Sequence, residues 1–194
     1  MSNIIVVGPE DCPAKTSLLD NFVNTTSRSP GFGKELSPFT LGPVYLYEGA
    51  PTGFAQNVEN AWQYSKIYSE YVGEDGLPTQ EYFDWAVRGF SRVKADRYPK
   101  GRGAIPSYAW WGKKLGYLAA RREIYIPLYK EAVIETESFA RLKEMYDKYQ
   151  TLMLWCYDGY NHKRLNMSYD DVINCGSRSM GHSFVLAMIL DGHV

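Results

Sequence analysis

Apolar and polar positions along this chain fall into short blocks of differing period. Asn3–Val7 is a nearly continuous apolar run stopped by Gly8-Pro9, the pattern of a short buried strand. Over Asp11–Asn24, residues Leu18, Leu19, Phe22 and Val23 supply an apolar side, which predicts a short helix. The Ser-, Thr-, Pro- and Gly-rich stretch Thr25–Gly33 predicts a loop, and Val44-Tyr45-Leu46-Tyr47 a strand before a turn at Pro51–Gly53. A helix is predicted over roughly Ala55–Val72, ended by Gly73–Pro78, and another over Gln80–Arg92. Pro99, Gly101, Gly103 and Pro106 make Ala95–Ser107 a loop. A long helix is predicted from about Tyr108 to Glu135, kinked at Pro127. Ser138–Tyr149 reads as a helix, Leu152–Tyr157 as a buried strand and Arg178–Leu190 as a core helix. The sum predicts a mainly helical α+β domain with a few short strands.

Composition narrows the class. A chain of 194 residues, 45% hydrophobic and 22% charged, can bury a core of its own and is not a disordered tail. A single domain over residues 1–194 is expected, with residues 1–34 as an N-terminal strand and loop extension. No run approaches the ~18 apolar residues of a membrane span. The first residues lack the basic start of a signal peptide, so a soluble, cytoplasmic protein without a membrane partner is expected. Three cysteines, Cys12, Cys156 and Cys175, offer no disulfide framework and fit a reducing compartment.

The net charge of −1 argues against a polyanionic partner only until its distribution is considered. Arg88 to Arg122 hold ten basic residues and one acid, Asp96, for a net +9; the rest of the chain carries −10. Basic groups meet phosphates, so Arg88, Arg92, Lys94, Arg97, Lys100 and Arg102 are candidate DNA or phosphate contacts. Interleaved aromatics suit stacking on bases, making Trp110 and Trp111, with Lys113 beside them, candidate substrate contacts. A solvated face offsetting acidic helices has the same composition, and a pyrophosphate-bearing small molecule would use the same groups. Two other patterns fail on spacing. Gly8 to Thr16 puts Pro13 and Ala14 where a phosphate loop needs Gly and Lys. Cys156, His162, Cys175 and His182 lack the short paired hooks of structural zinc sites, so no metal is expected.

The most specific pattern is Glu59-Asn60-Ala61-Trp62-Gln63-Tyr64-Ser65-Lys66. At helical spacing Glu59, Gln63 and Lys66 share one face bordered by Trp62, while Val58, Ala61, Ser65, Tyr68 and Val72 form a packing face. An acid, an amide, an amine and an indole thus sit together. An exposed face with ordinary Glu-to-Lys spacing is the plainer alternative, but an indole on a solvated face is wasteful.

The spacing Glu-x-x-Trp-Gln-x-x-Lys at 59–66 resembles the motif of the NADAR superfamily, which includes the YbiA-type proteins. Ser37-Pro38-Phe39, then Val44-Tyr45, then the helix follow in the family's order, and Lys114-Leu115-Gly116 resembles a downstream family segment. The resemblance covers about residues 35–190. Asn60 stands where the family usually has His. Asp158-Gly159-Tyr160 is a partial counterpart of a late Asp-x-aromatic-Trp-Gly segment. The resemblance implies cleavage of N-glycosidic bonds, including that of ADP-ribose attached to guanine in DNA, with no metal or redox cofactor. It also implies reversal of DNA ADP-ribosyltransferase toxins such as DarT, an activity similar to that of members carried by T-even-type phages. The partner expected is ADP-ribosylated DNA, with no obligate protein partner, in the cytoplasm, or the host's if the chain is phage-encoded.

In that reading Glu59, Lys66 and Asp158 are catalytic. Trp62, Gln63 and Asn60 hold the substrate, with Trp110, Trp111 and Lys113. Lys66 forms a Schiff base with the opened sugar if its amine is neutral; if it stays protonated and pairs with Glu59, acid-assisted hydrolysis remains. Asp158 follows a predicted strand, where a functional group or a loop cap both fit. Two rival functions stand beside this one: an N-glycosidase of ribosylated metabolites, and a module that binds ADP-ribose or nucleic acid without turnover.

Overall fold

The computed structural model describes residues 3–11 and 19–194. Half of the helix expected over Asp11–Asn24, with Cys12 and the Lys15-Thr16 pair, lies outside the described residues. The chain is a mainly helical α+β structure, as its hydrophobic pattern predicts. No helix among the described residues is long and apolar enough to cross a membrane. Contacts divide the chain into two compact units, one of Met1–Ser37 with Tyr129–Val194, the other of Pro38–Leu128.

The first unit is built on a parallel sheet of β1 (Asn3–Val7), β8 (Thr151–Trp155) and β2 (Phe22–Asn24), with β8 in the middle. Val7 pairs with Trp155 and Asn24 with the same residue from the other side. The described end of the expected Asp11–Asn24 helix is therefore strand. Three residues are too few to show a period of two, and their partner lies some 130 residues away, beyond the reach of local pattern. Leu152 and Leu154 are fully buried in the central strand, which ends at Trp155, two residues earlier than expected. Helices α5 (Glu137–Lys148) and α7 (His182–Leu190) pack against β8. Helix α7 is apolar around its whole circumference and is buried from His182 to Met188. A short helix α6 (Tyr169–Asn174), not foreseen from sequence, starts on a capping box between Ser168 and Asp171.

The second unit carries β3 (Val44–Tyr45) paired with β4 (Phe54–Ala55), and an antiparallel sheet of β5 (Lys66–Ile67), β6 (Tyr108–Trp110) and β7 (Lys114–Leu115). Helices α1 (Val58–Tyr64) and α2 (Gln80–Phe90) pack together. Their contact is tight at Gly89, where a Cβ would stand 2.0 Å from the Tyr64 ring. Tyr64 in turn lies on Trp85, with ring centroids 4.6 Å apart.

One expected helix changes here. The long helix from Tyr108 begins instead as a hairpin, because Gly112 takes a left-handed φ of +69° and turns β6 back into β7. Ala109 and Leu115 pair inward, and Lys114 points out. Helix then runs through α3 (Tyr117–Ala120), a π-helical turn over Arg121–Tyr125 and α4 (Ile126–Val133). Pro127 has no N–H to give Glu123, and the turn before it widens so that the Ile126 N–H reaches Arg121. The unit boundary falls inside α4.

Candidate active site

Helix α1 is shorter than the spacing suggested. Asn57 caps it by accepting from the Asn60 N–H at 2.8 Å. It stops at Tyr64 because its last carbonyls find partners elsewhere: the Tyr82 hydroxyl donates to Tyr64 O at 3.0 Å, and the Trp110 N–H to Ser65 O at 2.7 Å. The chain then joins β6, with Lys66 opposite Ala109 and Ile67 opposite Tyr108. Neighbours on a strand face opposite ways, and Ile67 is fully buried while Lys66 is half-buried. Lys66 is therefore a strand residue, correcting the expected helix to Val72.

The predicted trio nevertheless meets. Gln63 Nε2 donates to Glu59 Oε1 at 2.9 Å, one helical turn back, and Lys66 Nζ donates to Gln63 Oε1 at 2.6 Å. Glu59 and Gln63 are buried, at 6% and 8% exposure. The amide thus stands between acid and amine, rather than facing a ligand as a free group. Nζ also lies 5.0 Å from the centre of the Trp62 ring, which packs on Tyr125 at 5.2 Å. Burial pushes the Lys66 amine down to about 8, against the opposing pull of the Glu59 charge.

Trp62 and Lys66 line a cleft of about 370 Å³, together with residues 104–109, Tyr117 and Ala120. Tyr117 is held by Arg121, whose guanidinium lies 4.4 Å from the ring and donates to its hydroxyl at 2.8 Å. Arg121 is 1% exposed, on the π-helical turn. Sequence reasoning counted it only as charge. Tyr117 counted only among the aromatics interleaved with the basic block, and the local signal for the turn that carries Arg121 is Pro127.

Several expected contacts are corrected. Asn60 is 0% exposed: its amide donates to Arg92 O at 2.7 Å and Lys94 O at 3.3 Å, and its oxygen accepts from the Asp96 N–H at 2.9 Å. It fastens the segment after α2 and touches no ligand space. Lys100 is bound to Glu70 at 2.9 Å and to the Tyr71 hydroxyl at 2.7 Å, over the Tyr71 ring. Trp110, Trp111 and Lys113 do not wall the cleft. Trp111 packs on Tyr47 and Lys113 pairs with Glu123 at 2.6 Å. Arg92 sits 3.8 Å from Asp96, and Arg97 lies against Tyr98. Arg88, Arg92, Lys94 and Arg102 are exposed.

Asp158 belongs to the other unit. It sits in the turn after β8, close against Gly181, where a Cβ would come within 3.2 Å of it. Nearby, the Cys156 thiol is buried and pushed up to about 11, and His182 Nε2 bonds Thr25 at 2.8 Å. Among the described residues no three His, Cys, Asp or Glu side chains gather as a metal site. No protein-family model matches this chain, nor does any curated protein or solved structure.

Proposed function

We propose that this chain is a NADAR-type ADP-ribosyl N-glycosidase that removes ADP-ribose from guanine in DNA and so counteracts a DNA ADP-ribosyltransferase toxin. The observation that carries the reading is the chain Glu59–Gln63–Lys66, which ends in an amine held near 8 that lines the cleft. A lysine with that pKa is neutral often enough near neutral pH to act as a nucleophile, and a carboxylate one amide away can move protons.

The substrate carries its sugar on the exocyclic amine of guanine. Ring opening breaks the bond from the anomeric carbon to the ring oxygen. That oxygen takes, through Glu59, the proton that the guanine amine gives up, leaving an imine. Neutral Lys66 adds its lone pair to the imine carbon and passes a proton to the guanine nitrogen. The carbon–nitrogen bond then breaks as the second Lys66 proton passes, through Glu59, to the guanine nitrogen, restoring the guanine amine and leaving the sugar as a Schiff base on Lys66. Water adds to that carbon, Lys66 departs and the aldehyde closes to free ADP-ribose. Gln63 keeps acid and amine in register, and Trp62 and Tyr117 offer faces for a flat ring. Exposed Arg88, Lys94 and Arg102 supply phosphate contacts. Asp158 is given no step. The reaction takes place in the cytoplasm, the host's for a phage-encoded chain.

Incubation with an ADP-ribosylated oligonucleotide, followed by mass spectrometry of the sugar and the base, tests the reading. Free ADP-ribose and restored guanine are expected. Binding without product, unchanged by Glu59→Gln and Lys66→Ala, would instead mark a binding module. Replacing Arg88, Lys94 and Arg102 by Ala is expected to weaken action on DNA and spare an ADP-ribosylated nucleoside; equal loss on both would favour a metabolite glycosidase.

A further inference from the structure

Residues 104–109 line the cleft, and they include its most exposed large apolar side chain. Ile105 lines the cleft yet is 87% exposed, the highest value of any large hydrophobic residue among those described. Such a side chain leaves nearly all of its apolar area in water, available for a partner to cover. The 101–107 segment is anchored at both ends. Lys100 is tied to Glu70 and Tyr71, and the Ser107 N–H donates to Ile67 O at 2.7 Å. Between the anchors, Gly101 and Gly103 take left-handed φ values of +92° and +89° around exposed Arg102. An exposed apolar side chain thus stands close in sequence to the cationic Arg102 and lines the same cleft as Lys66. Isoleucine is one of the residues that proteins drive between base steps, with basic neighbours on the phosphates.

We propose that Ile105 inserts into duplex DNA beside the modified guanine, taking the stacking place that base vacates and holding it turned out toward Lys66. This rests on the function proposed above. The insertion pays part of the unstacking cost that an enzyme meets when its target lies inside a duplex. Arg102 contacts the backbone next to the gap and the apolar Ile105–Pro106 pair fills it. A free nucleoside has no neighbouring base, so Ile105 gives it no such assistance.

The test compares kcat/KM on one ADP-ribosylated duplex, its single strand and the modified nucleoside, for wild type, Ile105→Ser and Ile105→Met. The expected result is a duplex-to-nucleoside ratio about tenfold lower in Ile105→Ser, with the single strand in between and Ile105→Met near wild type. An unchanged ratio overturns the proposal. A second readout needs no turnover. A fluorescent 2-aminopurine placed next to the modified guanine brightens when wild type binds the duplex and stays dim with Ile105→Ser. Equal brightening, or none with wild type, also overturns it. Absence of released ADP-ribose from all three substrates with wild type overturns the glycosidase reading instead, and the fluorescence still decides the insertion.

Discussion

Two lysines in the second unit have the same kinds of neighbours and opposite chemistry. Lys66 has a carboxylate, Glu59, one amide away, and an indole, Trp62, at 5.0 Å. Lys100 has a carboxylate, Glu70, in direct contact at 2.9 Å, and an indole, Trp85, at 5.3 Å. At Lys66 burial dominates and the amine falls to about 8. At Lys100 burial also opposes the charge, but bonds to Tyr71 and Glu70 outweigh it and the pKa rises. The difference is burial first, which lowers the Lys66 amine more, and then the distance to the acid. An amide spacer leaves the first lysine free to give up its proton, whereas a direct ion pair fixes the second as a clamp between the 69–71 turn and the 95–107 loop.

Breaking each lysine separates the roles. Lys66→Ala is expected to lower the rate of ADP-ribose release by about a thousandfold or more, since it removes the attacking atom itself. Glu59→Gln is expected to cost about 10²–10⁴-fold in kcat, the range for a lost proton shuttle, while substrate affinity holds. Both follow from mass-spectrometric product curves.

A pH profile sharpens the comparison further. If the neutral amine attacks, kcat/KM falls about tenfold per pH unit below 8 and levels off above it. Gln63→Met removes an acceptor that favours the charged form and moves that midpoint down. The same shift bears on stability. Between about 8 and the ordinary lysine value of 10.5, the unfolded chain holds a proton that folded Lys66 has released, so stability rises with pH across that window. Equilibrium unfolding at pH 8 and pH 10 reads this directly.

Smaller effects concern the scaffold. Gly89→Ala drives a methyl into the Tyr64 ring and is expected to cost about 1–3 kcal/mol in denaturant unfolding. Lys100→Ala removes a partly exposed ion pair and a cation–ring contact, so the expected loss is about 1 kcal/mol or less, with turnover within about threefold of wild type. A large rate loss from Lys100→Ala would erase the distinction between the two lysines.

The legible and illegible parts of the chain differ for physical reasons. Glu59 and Gln63 were readable because a four-residue spacing on a helix is local geometry. Lys66 joined them for another reason than the one anticipated: the helix had already ended, and a strand returned the side chain to Gln63. Asn60 looked like part of the same polar stripe. Its partners at 92, 94 and 96 lie more than thirty residues away, and only the fold reveals that they consume it. The basic block misled in a similar way. Its sum was correct, but Lys100 and Lys113 spend their charge on Glu70 and Glu123. The hairpin at 108–115 had one local signal, Gly112 between a tryptophan pair and a lysine pair, and hydrophobic period alone passed over it.

The central claim is that Lys66 is a nucleophile. The direct measurement is to add sodium borohydride during turnover of an ADP-ribosylated oligonucleotide and map the protein by peptide mass spectrometry. A reduced adduct carrying ADP-ribose on Lys66, absent in Lys66→Ala, is the expected result. Release of ADP-ribose with no adduct on Lys66 would contradict it.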